Sequence, residues 1–283
     1  MVDNMKDCLK LYYSINIEID DIERISFSYD SKNYIFIRTN YINYELINYL
    51  LNYNYINKPI LNNYNQYITE YNNEKYLLFF DNKSNINIED IIYFLNQNLQ
   101  IIDNDLHNKW CEKIDYHEYQ ITQFGYKYKL LRESINYIVG LSEIGIQLLN
   151  TIDLKICYSC LVHNRITNEL FDFKNPLNII IDYRIRDIAE YIKYNFFYNN
   201  LEVFDQIINR FNLNKEEYKL LFARLLLITQ YYDIYEKIID EKKEEKEIEF
   251  IILKLNNYEK YLKKIYLYLK RYIDIDNIEL FNN

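Results

Sequence analysis

The chain has 283 residues, enough for one large domain or two lobes, and its 49% hydrophobic and 27% charged residues fit a folded globular protein. A net charge of −9 argues against a nucleic-acid partner, and no basic base-stacking groove is expected around the 33 tyrosines. Four cysteines make no disulfide framework at this length, no apolar run reaches membrane-spanning length, and MVDNMKDC lacks a signal-peptide pattern, so the expected location is the cytoplasm.

Abundant Ile, Asn, Lys and Tyr share A/T-rich codons, and that bias explains the low-complexity look of residues 40–67. Regular Ile and Leu favour a folded reading of this tract over a disordered one. The spacing predicts strands over 9–19, 24–30 and 33–40, with a hairpin break at 30–33. A helix follows over 41–53, then two strands within 66–81 around Asn72-Asn73. The polar stretch 81–87 reads as a hinge, with Asn87 capping the next helix and Asp90 in its first turn. These features divide the chain into a β-rich lobe, 1–84, and a helical lobe, 85–283.

Helices are predicted over 88–102, 110–124 and 130–150, and later near 201–211, 215–239 and 246–273. Asn214 and Glu217 have capping-box spacing. In the last helix Ile248, Ile251, Leu255, Tyr258, Leu262, Ile265, Leu269 and Tyr272 form a heptad seam. Packing on the same chain, with Lys254, Glu259, Lys263 and Lys270 outward, is expected over a coiled-coil dimer, hence a monomer.

Cys157-x-x-Cys160-x-x-His163 has zinc-ligand spacing, with Cys8, Cys111, His107 or His117 as a possible fourth ligand. The cysteines lie in an apolar strand-like run without a second such pair, so burial as small hydrophobes is the better reading and no metal is expected. Gly125, Gly140 and Gly145 are the only glycines. None sits where a phosphate-cradling loop would need it, and Gly140 and Gly145 suit close helix packing instead. Arg38 and Glu45 could tie strand to helix, or simply be two exposed charges. His163 reads as a hydrogen-bonded structural residue, and Asp187 falls at a helix start, where a carboxylate is favourable.

The layout of 161–192, LVHNRITNELFDFKNPLNIIIDYRIRDIAEYI, resembles the catalytic segment of kinase-like small-molecule phosphotransferases. Three stretches together, 114–150, LVHNRIT (161–167) and IIIDYRIRDIAEYI (179–192), resemble the spore-coat kinase-like proteins of low-GC Gram-positive bacteria. Residues 211–239 are similar to a later helical segment of the same family, a branch of the aminoglycoside/choline-phosphotransferase-type kinases. The resemblance implies an α+β, two-lobed protein-kinase-like (aminoglycoside-phosphotransferase-like) fold with a small β-rich N-lobe and a helical C-lobe. It aligns His163 with the catalytic-loop His, Arg165 with the catalytic Asp, Leu170 with the metal-binding Asn and Asp187 with a structural Asp. Asp182 is the nearest match to the second metal-binding Asp, although the helix-start match claims it for another position. Arg cannot serve as a base and Leu cannot hold a metal. The resemblance therefore implies a degenerate catalytic segment over 161–187, no ATP or magnesium as cofactor, and a binding or scaffold role in spore-coat or envelope assembly, with an unknown protein or small-molecule partner. The alternatives are an active phosphotransferase using displaced residues and a helical protein-interaction module.

Overall fold

The computed structural model describes residues 4–20, 22–40, 42–53, 56–81, 88–97, 99–101, 105–167, 170–275 and 277–281. In chain order the elements begin with α1 (Asn4–Tyr13), β1 (Arg24–Tyr29), β2 (Lys32–Thr39), α2 (Tyr44–Leu50), β3 (Thr69–Tyr71) and β4 (Glu74–Phe80). Then come α3 (Ile88–Leu95), α4 (Leu106–Phe124), α5 (Lys129–Leu149), β5 (Ser159–His163), α6 (Leu170–Lys174), β6 (Ile179–Tyr183) and α7 (Ile185–Tyr194). The chain closes with α8 (Phe204–Ile208), α9 (Lys215–Leu226), α10 (Thr229–Ile239), α11 (Glu249–Ile252) and α12 (Leu255–Leu269). Two compact units result, one of residues 1–91 with 167–180 and one of 92–166 with 181–283.

The first unit holds an antiparallel four-stranded sheet in the order β1-β2-β4-β3. Both hairpins turn on a pair of left-handed residues, Asp30-Ser31 (φ 47° and 60°) and Asn72-Asn73 (φ 51° and 65°). Positive φ at both central positions matches the right-handed twist of the strands. The middle of β2 and of β4 is buried on both faces. Tyr34, Phe36, Tyr76 and Leu78 meet α1 through Met5, Cys8 and Leu9, whereas Ile35, Ile37, Leu77 and Phe79 meet Ile47 of α2 and Phe171.

That two-sided burial corrects the strand expected over 9–19. Met5, Cys8 and Leu9 recur at the three- and four-residue spacing of a helix, and a helix stripe covers the second sheet face. Arg38 forms an ion pair with Glu74 at 3.5 Å, and Glu45 lies exposed in the first turn of α2.

In the second unit α5 packs along α9, and α9 along α7. A Cβ on Gly145 of α5 would stand 2.9 Å from the Ala223 carbonyl oxygen of α9, so this glycine permits the close approach; one on Gly140 would meet nothing within 4 Å. The Asn214–Glu217 capping box opens α9 with both of its reciprocal hydrogen bonds. The predicted 215–239 helix breaks at Leu227-Ile228. There the fully buried Lys193 ammonium donates to the Leu227 carbonyl (2.7 Å), to Thr229 Oγ1 (2.9 Å) and to Glu190 (2.8 Å). Freed helix-end carbonyls are satisfied by this side chain instead of by another turn.

Three more helices depart from expectation. The 88–102 helix stops at Leu95, and Gln100 forms a β-bridge with Ser159. The 201–211 helix shrinks to α8. The 246–273 helix is interrupted, with a 3-10 turn at Glu245–Ile248 before α11 and α12. Its seam is nonetheless buried from Ile248 to Leu269, leaving Tyr272 63% exposed. Lys270 is exposed, whereas Lys254 and Glu259 are half-buried, Lys254 donating to the Phe197 carbonyl and Glu259 accepting from Tyr137 at 2.5 Å. Asp90 lies in the first turn of α3; Asn87 and the 82–87 part of the expected hinge fall outside the described residues. No helix among the described residues is long and apolar enough to cross a membrane.

Candidate functional site

The strand β5 ends on His163, which is wholly buried. Its backbone N–H donates to Asp187 Oδ1 (2.8 Å) and its Nδ1–H to Asp187 Oδ2 (2.6 Å). Asp187 sits in the first turn of α7, where the helix dipole favours a carboxylate. One side chain thus fixes both the end of the strand and the imidazole that begins the following loop.

The loop residues next to His163 are pinned by a salt bridge from Arg165 and by hydrogen bonds to Asn164. Arg165 donates from Nη2 to Asp233 Oδ1 (2.8 Å), and its Nε stands 2.6 Å from Oδ2. This is the two-pronged geometry that a planar guanidinium makes with a carboxylate. A further bond runs from Arg165 Nη1 to the Asn164 carbonyl (2.9 Å), which also accepts from Arg186 Nη2 (2.9 Å). Leu170 opens α6.

Asp182, near the end of β6, is 4% exposed. Its Oδ2 accepts from Arg186 Nη1 (2.7 Å) and Arg224 Nη2 (3.0 Å), and its Oδ1 from the Tyr183 backbone N–H (2.7 Å). Burial alone would raise its pKa, but the Arg224 and Arg186 charges outweigh burial and hold it below the usual carboxylate range. Behind it, Arg184 grips Glu217 through Nε (2.7 Å) and Nη2, and Glu217 also accepts from the Tyr158 N–H (3.1 Å). The capping residue of α9 is therefore also the counter-ion of the residue that precedes α7.

The cysteines have no comparable engagement. Cys157 and Cys160 are buried, and burial pushes the Cys157 thiol up to about 12 and raises that of Cys160 as well. Neither favours the thiolate that zinc needs. His163, the third member of that motif, is committed to Asp187 through Nδ1. Cys8 lies in the core of the first unit, and Cys111 has its Sγ 3.8 Å from His107 Nδ1. Among the described residues no group of three or more His, Cys, Asp or Glu side chains is placed to hold a metal ion.

Sequence reasoning missed Asp233, Arg224 and Arg184 as members of this arrangement. Glu217 carried a local signal, its spacing from Asn214, but only for capping. Asp233 carried none, since it lies 68 residues from Arg165.

Residues 104–271 match the family described as "Spore coat putative kinase YutH". Over 159 residues the chain is 26% identical to the endospore coat-associated protein YutH of Bacillus subtilis, a stretch covering 47% of this chain and 46% of that protein. The chain thus spans about half the length of this curated relative. Two solved structures share the fold across nearly the whole chain. One is spectinomycin phosphotransferase in complex with ADP and spectinomycin, at TM-score 0.55 and 16% identity, covering 92% of each chain. The other is an aminoglycoside phosphotransferase from Alicyclobacillus acidocaldarius, at TM-score 0.60 and 10% identity, covering 91% of this chain and 93% of that one. Together with the small antiparallel sheet and the largely helical remainder, they show an aminoglycoside-phosphotransferase-like, kinase-like fold.

Proposed function

The chain belongs to the YutH family of spore-coat kinase-like proteins, and from that premise we propose that it is a catalytically degenerate member that serves the coat by binding, not by phosphoryl transfer. The observation that carries this reading is the fork between Arg165 and Asp233. The catalytic-loop base of a kinase must take a proton from the attacking hydroxyl. A guanidinium stays protonated and cannot. Arg165 is moreover held in place by its carboxylate partner, so the loop is built around the substitution.

Asp182 supports the same reading. A magnesium ligand needs carboxylate lone pairs directed at the ion, and this carboxylate accepts from two guanidiniums and a backbone N–H. In our reading these residues do not suit a magnesium–nucleotide site. The protein then acts as a scaffold or ligand-binding component, from the cytoplasm and as a monomer. The burial of the C-terminal seam within the chain supports the monomer.

Thermal melting with ATP and magnesium tests the reading. A nucleotide present at a hundred times its Kd would add about 2.7 kcal/mol to the folded state. We expect no magnesium-dependent rise in the melting midpoint at millimolar ATP, and a clear rise overturns the proposal.

A further inference from the structure

The first unit contains a feature that the kinase-type reading does not use. A pocket of about 500 Å³, within the range of small-ligand sites, is lined by α1, α2 and the 66–70 segment. Tyr12, Tyr44 and Tyr67 supply aromatic surface, and Asn48, Gln66 and Glu70 supply polar groups. Glu70 accepts from the Tyr44 hydroxyl at 2.7 Å, which fixes one wall.

The loop that carries Gln66 and Tyr67 is fixed before any ligand arrives. Asn62 is 4% exposed, and its Oδ1 accepts from the backbone N–H of Tyr64 (2.9 Å) and of Gln66 (3.0 Å). Its Nδ2 donates to Thr69 Oγ1 (2.9 Å), which also bonds the Tyr13 hydroxyl (2.9 Å). The Asn63 N–H donates to the Tyr12 carbonyl at 2.8 Å, tying the loop to α1. A loop whose backbone is ordered by its own buried amide presents Gln66 and Tyr67 without a further backbone-ordering cost, which favours measurable affinity from modest contacts.

The lining chemistry selects the ligand class. Among the described residues that line the pocket none is cationic, and the neighbouring Lys75 ammonium, 4.9 Å over the Tyr44 ring, stands on the strand position opposite Glu70, whose carboxylate offsets it, so a phosphate or other anion gains no net counter-charge. One carboxylate cannot make a metal site. Ile68 is the sole aliphatic lining residue, too little apolar surface for a hydrocarbon chain. A proline-rich segment also docks on aromatic surfaces, but it brings mainly carbonyl acceptors and would supply Glu70 with no donor beyond the Tyr44 hydroxyl. A sugar has both faces of the required chemistry. Its C–H face packs on tyrosine rings, and its hydroxyls, each donor and acceptor, match side-chain amides and a carboxylate.

We propose that this pocket is a binding site for a neutral oligosaccharide. Calorimetric titration of the full chain with N-acetylglucosamine tetramer, cellotetraose and maltotetraose tests it, with decaproline as the competing probe. Saturable binding of at least one tetrasaccharide is expected, weakened on the order of tenfold by Tyr67→Ala and by Gln66→Ala, with Tyr126→Ala in the second unit as an unaffected control. Gln66 is an exposed polar side chain, so its variant decides the matter if Tyr67→Ala disturbs folding. The proposal is overturned if none of the three sugars binds, if binding survives both pocket variants unchanged, or if decaproline binds and the sugars do not.

Discussion

His117 should make this protein acid-sensitive, and the effect is separable by one substitution. The residue is wholly buried on α4, stacked on Tyr232 at 4.6 Å and 14° and edge-on to Tyr235 at 5.1 Å. Neither ring nitrogen has a well-formed hydrogen bond, although a Glu236 oxygen stands 3.5 Å from Nε2. Burial, reinforced by the Lys113 charge and offset in part by a weak approach of Gln120, lowers its pKa from 6.5 to about 4. Between those values the unfolded chain binds a proton that the folded chain refuses. Stability from this group is therefore complete above pH 6.5 and lost as pH falls toward 4. At roughly 1.4 kcal/mol per unit of separation, the loss is about 2 kcal/mol at pH 5 and about 3 kcal/mol at pH 4. His117→Phe keeps the stacked ring and removes the titrating group. In urea titrations at pH 7 the variant should lie within about 1.5 kcal/mol of wild type, because the nitrogens it discards are unpaired. Its stability relative to wild type should then improve by about 2 kcal/mol between pH 7 and pH 5. A difference independent of pH would refute the reasoning. A wild type that gains on the variant in acid would mean that Glu236 raises the histidine pKa instead.

The remaining expectations concern packing. Asp187→Ala leaves two buried donors of His163 unmet and should cost about 3 kcal/mol in a denaturant titration; an unchanged midpoint would show that the contact contributes nothing. Gly145→Ala forces a Cβ against the Ala223 carbonyl and should cost roughly 1–3 kcal/mol, whereas Gly140→Ala, with open space around it, should stabilise by about 0.5–1 kcal/mol; equal effects in thermal melts would refute the close approach of α5 and α9. Leu255→Ala and Leu262→Ala should each destabilise a monomer by about 2–5 kcal/mol, and light scattering that finds a wild-type dimer dissociated by these changes would refute intramolecular burial.

Much of the local structure was legible in the sequence because its causes are local. Asp30-Ser31 and Asn72-Asn73 mark turns because short polar side chains tolerate the left-handed backbone that a two-residue hairpin imposes. Asn214 and Glu217 mark a helix start because both halves of a capping box lie within one turn. The heptad seam was legible too, since seven of its eight positions, all but Tyr272, need cover whatever interrupts the helix backbone. The family resemblance around 161–192 led to the fold that the comparisons show.

Other features depend on partners that no short stretch contains. Residues 9–19, rich in Ile and Tyr, fit a strand taken alone, and α1 forms because the sheet has a second apolar face to cover. The 215–239 helix breaks because Lys193, more than thirty residues upstream, captures the carbonyls at Leu227 and Arg224. For the candidate site the sequence by itself determined hydrogen-bonding capacity, since an Arg at 165 only donates and a Leu at 170 offers no polar side-chain atom wherever they sit. Only the tertiary structure decided which partners Arg165 and Asp182 meet. The Arg165–Asp233 fork joins charges 68 residues apart, and the Asp182–Arg224 contact joins charges 42 apart; the latter pair is buried, and buried charges are tolerated only where folding supplies their counter-ions.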